Sequence, residues 1–551
     1  MSTTVRPPSP PLPRGNEGSG RCSAPRDRWT GEFQAGARFL RSIRPFLDQP
    51  LNLNDAPRIL ARQLAARVST FTRMLEHGVF GNPASPYRLL FERAGITFQD
   101  VSAMLAMEGL DSTLENLYDA GIYLTLEEFK GRVPLTRSGL VLPLRAEDFD
   151  NPLMTSHYEA RTGGSGGTPR RILIDLNLLE HESAYHALFY ASAGAIDRPL
   201  GIWQPVPPGS VGIKTALMHA KLGRPTARWF SQTRWGGGST RHALFARATL
   251  LTAQLCGARI AMPEYTPASA AGKVAAWLTE QRARGTPAIL VTPASAGVRA
   301  CQAAIDTRLD ISGTLFVLGG EPYTAEKAAI IEQTGSRGVC HYAMVESGMI
   351  GLGCLTGSRA DHVHLVTDKI ATIQREKRVG KTGVAVNALF HTTLLPASPK
   401  LMLNVESGDY AIRTERACSC GSLPAGFSSG LHTIRSYEKL TSEGMNFLGT
   451  DLLDLVERVL PTRFGGHPTD YQFVERERNG LPIVSLVIAP RVGPLESAVV
   501  VQAVLEYLRT RGPGETMMTD MWIQSGTLQI VREAPHVTPA GKILPLQSMG
   551  C

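Results

Sequence analysis

The chain holds no uninterrupted apolar run near the roughly 18 residues that a bilayer-spanning helix needs, which excludes a transmembrane reading of any segment. Its opening stretch, MSTTVRPPSPPLPRGNEGSG, has no apolar core of the kind a secretory signal carries. Residues 1–28 therefore read as a disordered Pro-rich leader, and the expected location is cytoplasmic. Also missing is any dense Lys/Arg block interleaved with aromatics. The net charge of +8 is scattered, so neither nucleic acid nor a membrane is an expected partner, and a pocket for anionic small molecules accounts for the charge at least as well. No internal repeat is visible. Eight cysteines without a signal suggest reduced thiols or metal ligands rather than a disulfide frame.

What is present is ample material for a core. Hydrophobic residues make up 43% and charged residues 19% of 551 positions, the profile of a globular protein of two to four domains. Residues 30–130 read as helical, with apolar positions three and four apart in LNDAPRILARQLAARVSTFTRMLEHG. From about 170 to 410, short β-rich runs such as PAILVTP and GTLFVLGGEPY alternate with Ala-rich helical ones such as ASAAGKVAAWLTEQRARG. That alternation predicts a mostly parallel α/β sheet. Near residue 434 the pattern changes again, and the remainder reads as a small α+β domain.

The stretch RTGGSGGTPRR, residues 161–171, is the most unusual local feature. A glycine-rich turn in an α/β protein lets backbone N–H groups surround phosphate oxygens. This one follows neither the G-x-x-x-x-G-K-[ST] nor the G-x-G-x-x-G pattern. Taken alone it fits an ordinary surface loop equally well.

Five further stretches in fixed order change that balance. With them the sequence resembles the AMP-forming adenylating enzymes, the superfamily of acyl-CoA synthetases and adenylation domains, and is most similar to its phenylacetate-CoA ligase branch. TGGSGGTP, residues 162–169, resembles the family's phosphate loop, with Gly163 and Gly166 where hydroxyl residues usually stand. Thr162, Gly164, Ser165, Gly167 and Thr168 are its nucleotide-binding candidates. LFVLGGEPY resembles the turn that packs on adenine, which nominates Gly319, Gly320, Glu321 and Pro322. HYAMVES resembles Y-G-x-T-E. There Tyr342 inherits the place beside adenine and Glu346 the place that holds Mg²⁺, while Ala343 and Val345 depart from the pattern. NVESGDY resembles Y-R-T-G-D, which implies Asp409 as the ribose-binding aspartate, and IRSYEKLTSEG resembles G-R-x-D-D-x-I-x-x-x-G, which implies Arg435 as the ribose or hinge-side arginine. The hinge acid is replaced by Tyr437 or retained as Glu438. HVTPAGKILPL closely resembles the C-terminal P-x-T-x-x-G-K motif, whose lysine is Lys542.

The resemblance implies a large N-terminal adenylate-forming domain over 29–433, with mixed and parallel sheets. A small mobile α+β domain over 434–551 would carry the catalytic lysine. It implies ATP and Mg²⁺ as reactants, with Lys542 and Glu346 as catalytic residues. The product would be an acyl-AMP, passed to a thiol that is coenzyme A first or else a carrier protein. Trp229, Phe230 and Trp235 in ARWFSQTRWGGGST suggest a flat aromatic acid, though core packing explains them equally well. Three thiols and an imidazole, Cys354, Cys418 and Cys420 with His362 or His364, make a closed structural zinc set. Some relatives in that branch carry such a site, and their pattern selects His364. A homodimer is compatible with all of this. The departures at Gly163, Gly166 and Val345 keep two alternatives in play. One is a diverged adenylating enzyme using a nitrogen nucleophile or an unusual oxyanion; the other is a degenerate nucleotide-binding protein.

Overall fold

The computed structural model describes residues 25–137, 139–154, 157–161, 171–206, 210–235, 240–379, 384–437, 439–442, 445–448, 452, 454–510, 513–536 and 546–548. The leader thus lies outside the described residues up to 24, and its last positions already belong to a helix, Pro25–Asp48. Further helices follow at Ala56–Leu75, Pro86–Ala94, Phe98–Asp119 and Leu126–Phe129, as the three- and four-residue spacing predicts. The fourth carries a full capping box, Thr97 with Asp100. Phe71, Leu90, Phe91, Leu110 and Leu117 of this helical region pack with Phe390, Leu403 and Val405 into one apolar cluster.

The strands of the three larger sheets are numbered here in chain order. The first sheet comprises β1 (Leu200–Trp203), β2 (Thr226–Ser231), β3 (Glu264–Tyr265), β4 (Ile289–Pro293), β5 (Leu315–Gly319) and β6 (Arg337–Cys340). Its order is β6-β5-β4-β1-β2-β3, with every pair parallel. Four helices are used below: α1 (Leu176–Ser192), α2 (Val211–Lys221), α3 (Ala294–Thr307) and α4 (Ala325–Gln333). β1 is buried at all its positions, and β4 and β5 at nearly all, because helices cover both faces. Such strands read as continuous apolar runs, not alternating ones. The chain leaves β1 toward β2 on one side and later returns to lay β4 on the other. Their C-terminal ends therefore flank a crevice where the winding reverses, the usual ligand position in open α/β sheets.

The predicted parallel arrangement stops at Cys340. Beyond it lie β7 (Tyr342–Met344), β8 (Gly348–Gly353), β9 (Val363–Leu365), β10 (Ile370–Val379), β11 (Val384–Thr393), β12 (Val405–Glu415) and β13 (Ser429–Ser436). They form an antiparallel sheet in the order β7-β8-β9-β13-β12-β11-β10. The reason lies in the connections: no helix occurs between these strands among the described residues, and a parallel return is usually made through a crossover helix.

The last sheet, β16-β15-β14-β17, comprises β14 (Tyr471–Arg478), β15 (Leu481–Ile488), β16 (Leu528–Val531) and β17 (Leu546–Ser548). Helix Ser497–Arg509 buries Val500, Val504 and Leu508 in a core shared with Tyr471, Phe473, Leu486 and Trp522. That core draws only on residues from 452 onward. β13 runs on to Ser436, past the boundary expected at 433.

Candidate active site

β5, paired with β4, ends in the turn Gly319-Gly320-Glu321-Pro322. Gly320 has φ +80, a left-handed conformation that glycine adopts without steric cost. The next strand brings the following motif alongside: Leu318 pairs with Cys340, and the His341 N–H donates to the Leu318 carbonyl at 2.7 Å. A Cβ on Gly319 would stand 3.3 Å from the His341 carbonyl. Tyr342 therefore lies just beside the glycine turn, at the point where the parallel sheet gives way to the antiparallel one.

From the antiparallel side comes Asp409, buried on β12. Tyr342 Oη donates to its Oδ2 at 2.8 Å and Ser436 Oγ to its Oδ1 at 2.6 Å. Burial and the Asp409 charge push the Tyr342 hydroxyl well above its ordinary pKa, so it stays a donor. The sequence candidates Gly319–Pro322, Tyr342 and Asp409 are thus brought together.

Glu346 sits in the turn after β7, its side chain 16% exposed. Its Oε1 is ion-paired with Lys130 Nζ, and its carbonyl accepts from the Lys400 N–H at 3.1 Å. Burial works against the charge, but Lys130 outweighs it and, with help from Lys400, holds the carboxyl down at about 2. Below the same turn, Lys369 Nζ pairs with Glu182 of α1 and donates to the Ser347 carbonyl at 2.8 Å. The Met349 N–H donates to Glu182 Oε1 at 2.7 Å. Gly348 has φ +76, and a Cβ there would stand 2.2 Å from Glu182 Oε1. Lys130, Glu182, Lys369 and Ser436 are the site residues that motif reading missed. Ser436 lies within the IRSYEKLTSEG stretch, next to its candidate Arg435, and the other three belong to no local pattern.

Other candidates are engaged elsewhere. The Glu321 side chain turns inward, its Oε1 accepting from the Ser295 N–H at 2.7 Å and Oγ at 2.6 Å, which leaves the turn's backbone as its outer face. Arg435 Nη1 donates to Asp361 Oδ2 at 2.8 Å, on a carboxylate that also accepts the Thr433 and Ile434 N–H groups. Arg435 stands opposite Tyr410 across the β12–β13 pair, one position from the Asp409–Ser436 pair. Tyr437 Oη donates to Glu406. Thr162, Gly164, Ser165, Gly167 and Thr168, Glu438 and Lys542 lie outside the described residues. The aromatic candidates divide: Trp229 is buried, packed over Gly212 with its Nε1 donating to the Gln204 carbonyl at 3.1 Å, and Phe230 packs on Trp277. Both are core. Trp235 is half-buried beneath the Arg247 guanidinium.

Cys354, at the end of β8, His364, on β9, and Cys418 and Cys420, in the loop between β12 and β13, converge at one end of the antiparallel sheet. All four ligand atoms lie within 4.8 Å of one another. Cys354 and Cys418 Sγ are 3.6 Å apart, and Cys420 Sγ is 3.2 Å from His364 Nε2. A tetrahedral zinc with Zn–S near 2.3 Å sets its sulfurs about 3.7 Å apart, so the donor set fits that ion in number, type and spacing.

No family model matches the chain, and no curated protein matches it in sequence. Among solved structures, 2-hydroxyisobutyryl-CoA ligase in complex with 2-HIB-AMP and CoA in the thioesterification state is similar over 89% of this chain and 90% of that one. The TM-score is 0.52 at 15% identity. The same ligase in the postadenylation state with 2-HIB-AMP gives 0.43 at 15% identity, over 88% and 89% of the two chains. The adenylation domain of a keto acid-selecting NRPS module gives 0.31 at 10%, over 70% and 67%. The chain has the two-domain fold of the AMP-forming adenylating enzymes. In particular, that fold is the one seen in 2-hydroxyisobutyryl-CoA ligase.

Proposed function

We propose that this protein activates a carboxylic acid with ATP, forming an acyl-adenylate with release of pyrophosphate, and then passes the acyl group to a thiol, coenzyme A first. The observation that carries the reading is the meeting of Gly319–Pro322, Tyr342 and Asp409, from three separate motifs, where the parallel sheet gives way to the antiparallel one. Glycine backbone on one side and a buried carboxylate on the other offer a base and a ribose complementary surfaces.

In the first step the acid's carboxylate oxygen attacks the α-phosphorus, the bond to the bridging oxygen breaks, and pyrophosphate leaves. Such a displacement is governed by positioning and charge neutralisation. Lys542 places an ammonium beside the carboxylate and α-phosphate. Asp409 holds the ribose hydroxyls, exchanging its bonds from Tyr342 and Ser436 for them. A Mg²⁺, which Glu346 would hold by its ionised carboxylate, would supply positive charge to the pyrophosphate. In the second step the thiol gives up its proton to solvent, its sulfur bonds to the acyl carbon, and the acyl carbon–oxygen bond to AMP breaks, so that AMP departs.

Division of labour follows the proposed units, 29–433 for nucleotide and acid and 434–551 for Lys542, with the hinge at Arg435 to Lys439. The Cys354, His364, Cys418 and Cys420 set supports the phenylacetate-CoA ligase-like reading, with zinc pinning two loops. The acid class rests on less, because Trp229 and Phe230 belong to the core. A second reading, a nucleotide-binding protein with a weakened metal site, is favoured by the Lys130 ion pair that already neutralises Glu346.

The test is incubation with ATP, Mg²⁺ and panels of aryl, arylacetic, hydroxy and aliphatic acids, with mass-spectrometric detection of acyl-AMP and, when coenzyme A is added, of the thioester. An acid-dependent acyl-AMP supports the ligase. Bound ATP with no adenylate for any acid supports the second reading.

A further inference from the structure

The connection between β14 and β15 is Asn479-Gly480, with φ +52 and +69. Two left-handed residues in succession make the tight turn that Asn-Gly favours in hairpins. This turn lies against α3 and α4, beside the nucleotide-base turn. Gln302 Nε2 of α3 donates to the Asn479 carbonyl at 3.0 Å. A Cβ on Gly480 would stand 2.7 Å from Ile330 Cδ1 and 3.3 Å from Val298 Cγ1. The absence of a side chain is what lets the two surfaces touch.

Behind the tip, Glu477 Oε2 lies 3.3 Å from Lys327 Nζ, and its Oε1 accepts from the Thr324 hydroxyl, the N-cap of α4. Lys327 is 2% exposed. Its ammonium also donates to the Pro322 carbonyl at 2.8 Å and lies 3.7 Å from Glu321 Oε2. One buried cation thus holds two residues of the turn 319–322 and one residue of the β14–β15 hairpin. Burial acts against its charge, and the two carboxylates more than offset that.

We propose that Lys327 is a positioning residue that couples docking of the β14–β15 hairpin to the conformation of the nucleotide-base turn. With the hairpin seated, Glu477 covers the ammonium and fixes it on the Pro322 carbonyl and Glu321. With the hairpin away, Lys327 and Thr324 lose those partners to water, and the hold on the turn loosens. Linkage makes the effect reciprocal: whatever binds the ordered turn also favours the docked hairpin. The nucleotide part of this inference rests on the function proposed above.

The experiment is hydrogen exchange on the full chain, with and without ATP and Mg²⁺, following segments 316–324, 475–482 and, as a control for the C-terminal core, 500–508. Glu477→Gln removes the charge while keeping the shape. In the ligand-free protein it is expected to speed exchange several-fold at 316–324 while leaving 500–508 unchanged, a pattern that general destabilisation does not give. In the unaltered protein, nucleotide should slow exchange in both 316–324 and 475–482, and in Glu477→Gln it should no longer slow 475–482. Lys327→Arg should retain the coupling in part. Unchanged exchange at 316–324 in ligand-free Glu477→Gln overturns the proposal whatever nucleotide does. Nucleotide protection confined to 316–324 in the unaltered protein also overturns it. If ligand-free Glu477→Gln shows the loosening but nucleotide protects neither segment, the coupling stands and the nucleotide reading of the turn falls.

Discussion

Replacing Lys130 by methionine keeps most of the side chain's bulk and removes the charge that pairs with Glu346. The Glu346 carboxyl falls from its ordinary 4.5 to about 2 in the folded protein. At about 1.4 kcal/mol per pH unit that depression corresponds to roughly 3 kcal/mol. Both partners are well covered, at 27% and 16% side-chain exposure, so solvent screening takes little of it. The sign follows from the direction: a depressed carboxylate pKa gives stabilisation that is complete above 4.5 and disappears as pH falls toward 2. Lys130→Met should therefore lower stability by about 2 to 3 kcal/mol at pH 7, and the deficit should shrink by about 1 kcal/mol or more by pH 3.5. Urea unfolding followed by tryptophan fluorescence at pH 7, 5, 4 and 3.5 measures it. The double variant Lys130→Met/Glu346→Gln should recover much of the loss at pH 7, since it leaves no unpaired charge. A deficit independent of pH, or below about 0.5 kcal/mol at pH 7, would refute the reasoning.

Asp409→Asn should weaken ATP binding by about 10- to 100-fold in calorimetry, because an amide accepts through one oxygen where the carboxylate offers two. The purified protein should contain one zinc per chain by elemental analysis. Cys420→Ala should lose that zinc and lower the Tm, while a fully folded chain without metal would contradict the assignment. Lys369→Met leaves Glu182 buried without its cation and should cost about 3 to 5 kcal/mol of stability. Lys369→Met/Glu182→Gln should cost distinctly less.

What the sequence made legible is local. The β4 and β5 strands announce themselves as short apolar runs between Ala-rich helices, and the Gly319-Gly320 turn follows from the strand before it. The Cys-x-Cys pair, and His364 shortly after Cys354, carry their own chemistry. What it hid is set by tertiary contact. Lys130 and Glu346 are 216 residues apart, and Glu182 and Lys369 are 187 apart, with no pattern at either end to pair them. The antiparallel course of the chain after Cys340 was concealed because β-rich segments look alike until the lack of crossover helices between them is seen. Trp229 and Phe230 show the complementary failure. Residue type suits a core and a substrate pocket equally, and only burial separates them.

The central claim is acid activation, and Lys542 is the group on which it turns. Exchange of labelled pyrophosphate into ATP, driven by an added acid, reads the first step alone and needs no thiol. The account predicts acid-dependent exchange in the unaltered protein and its loss by several powers of ten in Lys542→Ala, with ATP binding retained. Exchange undiminished in Lys542→Ala, or bound ATP with no exchange across the full acid panel, would contradict it.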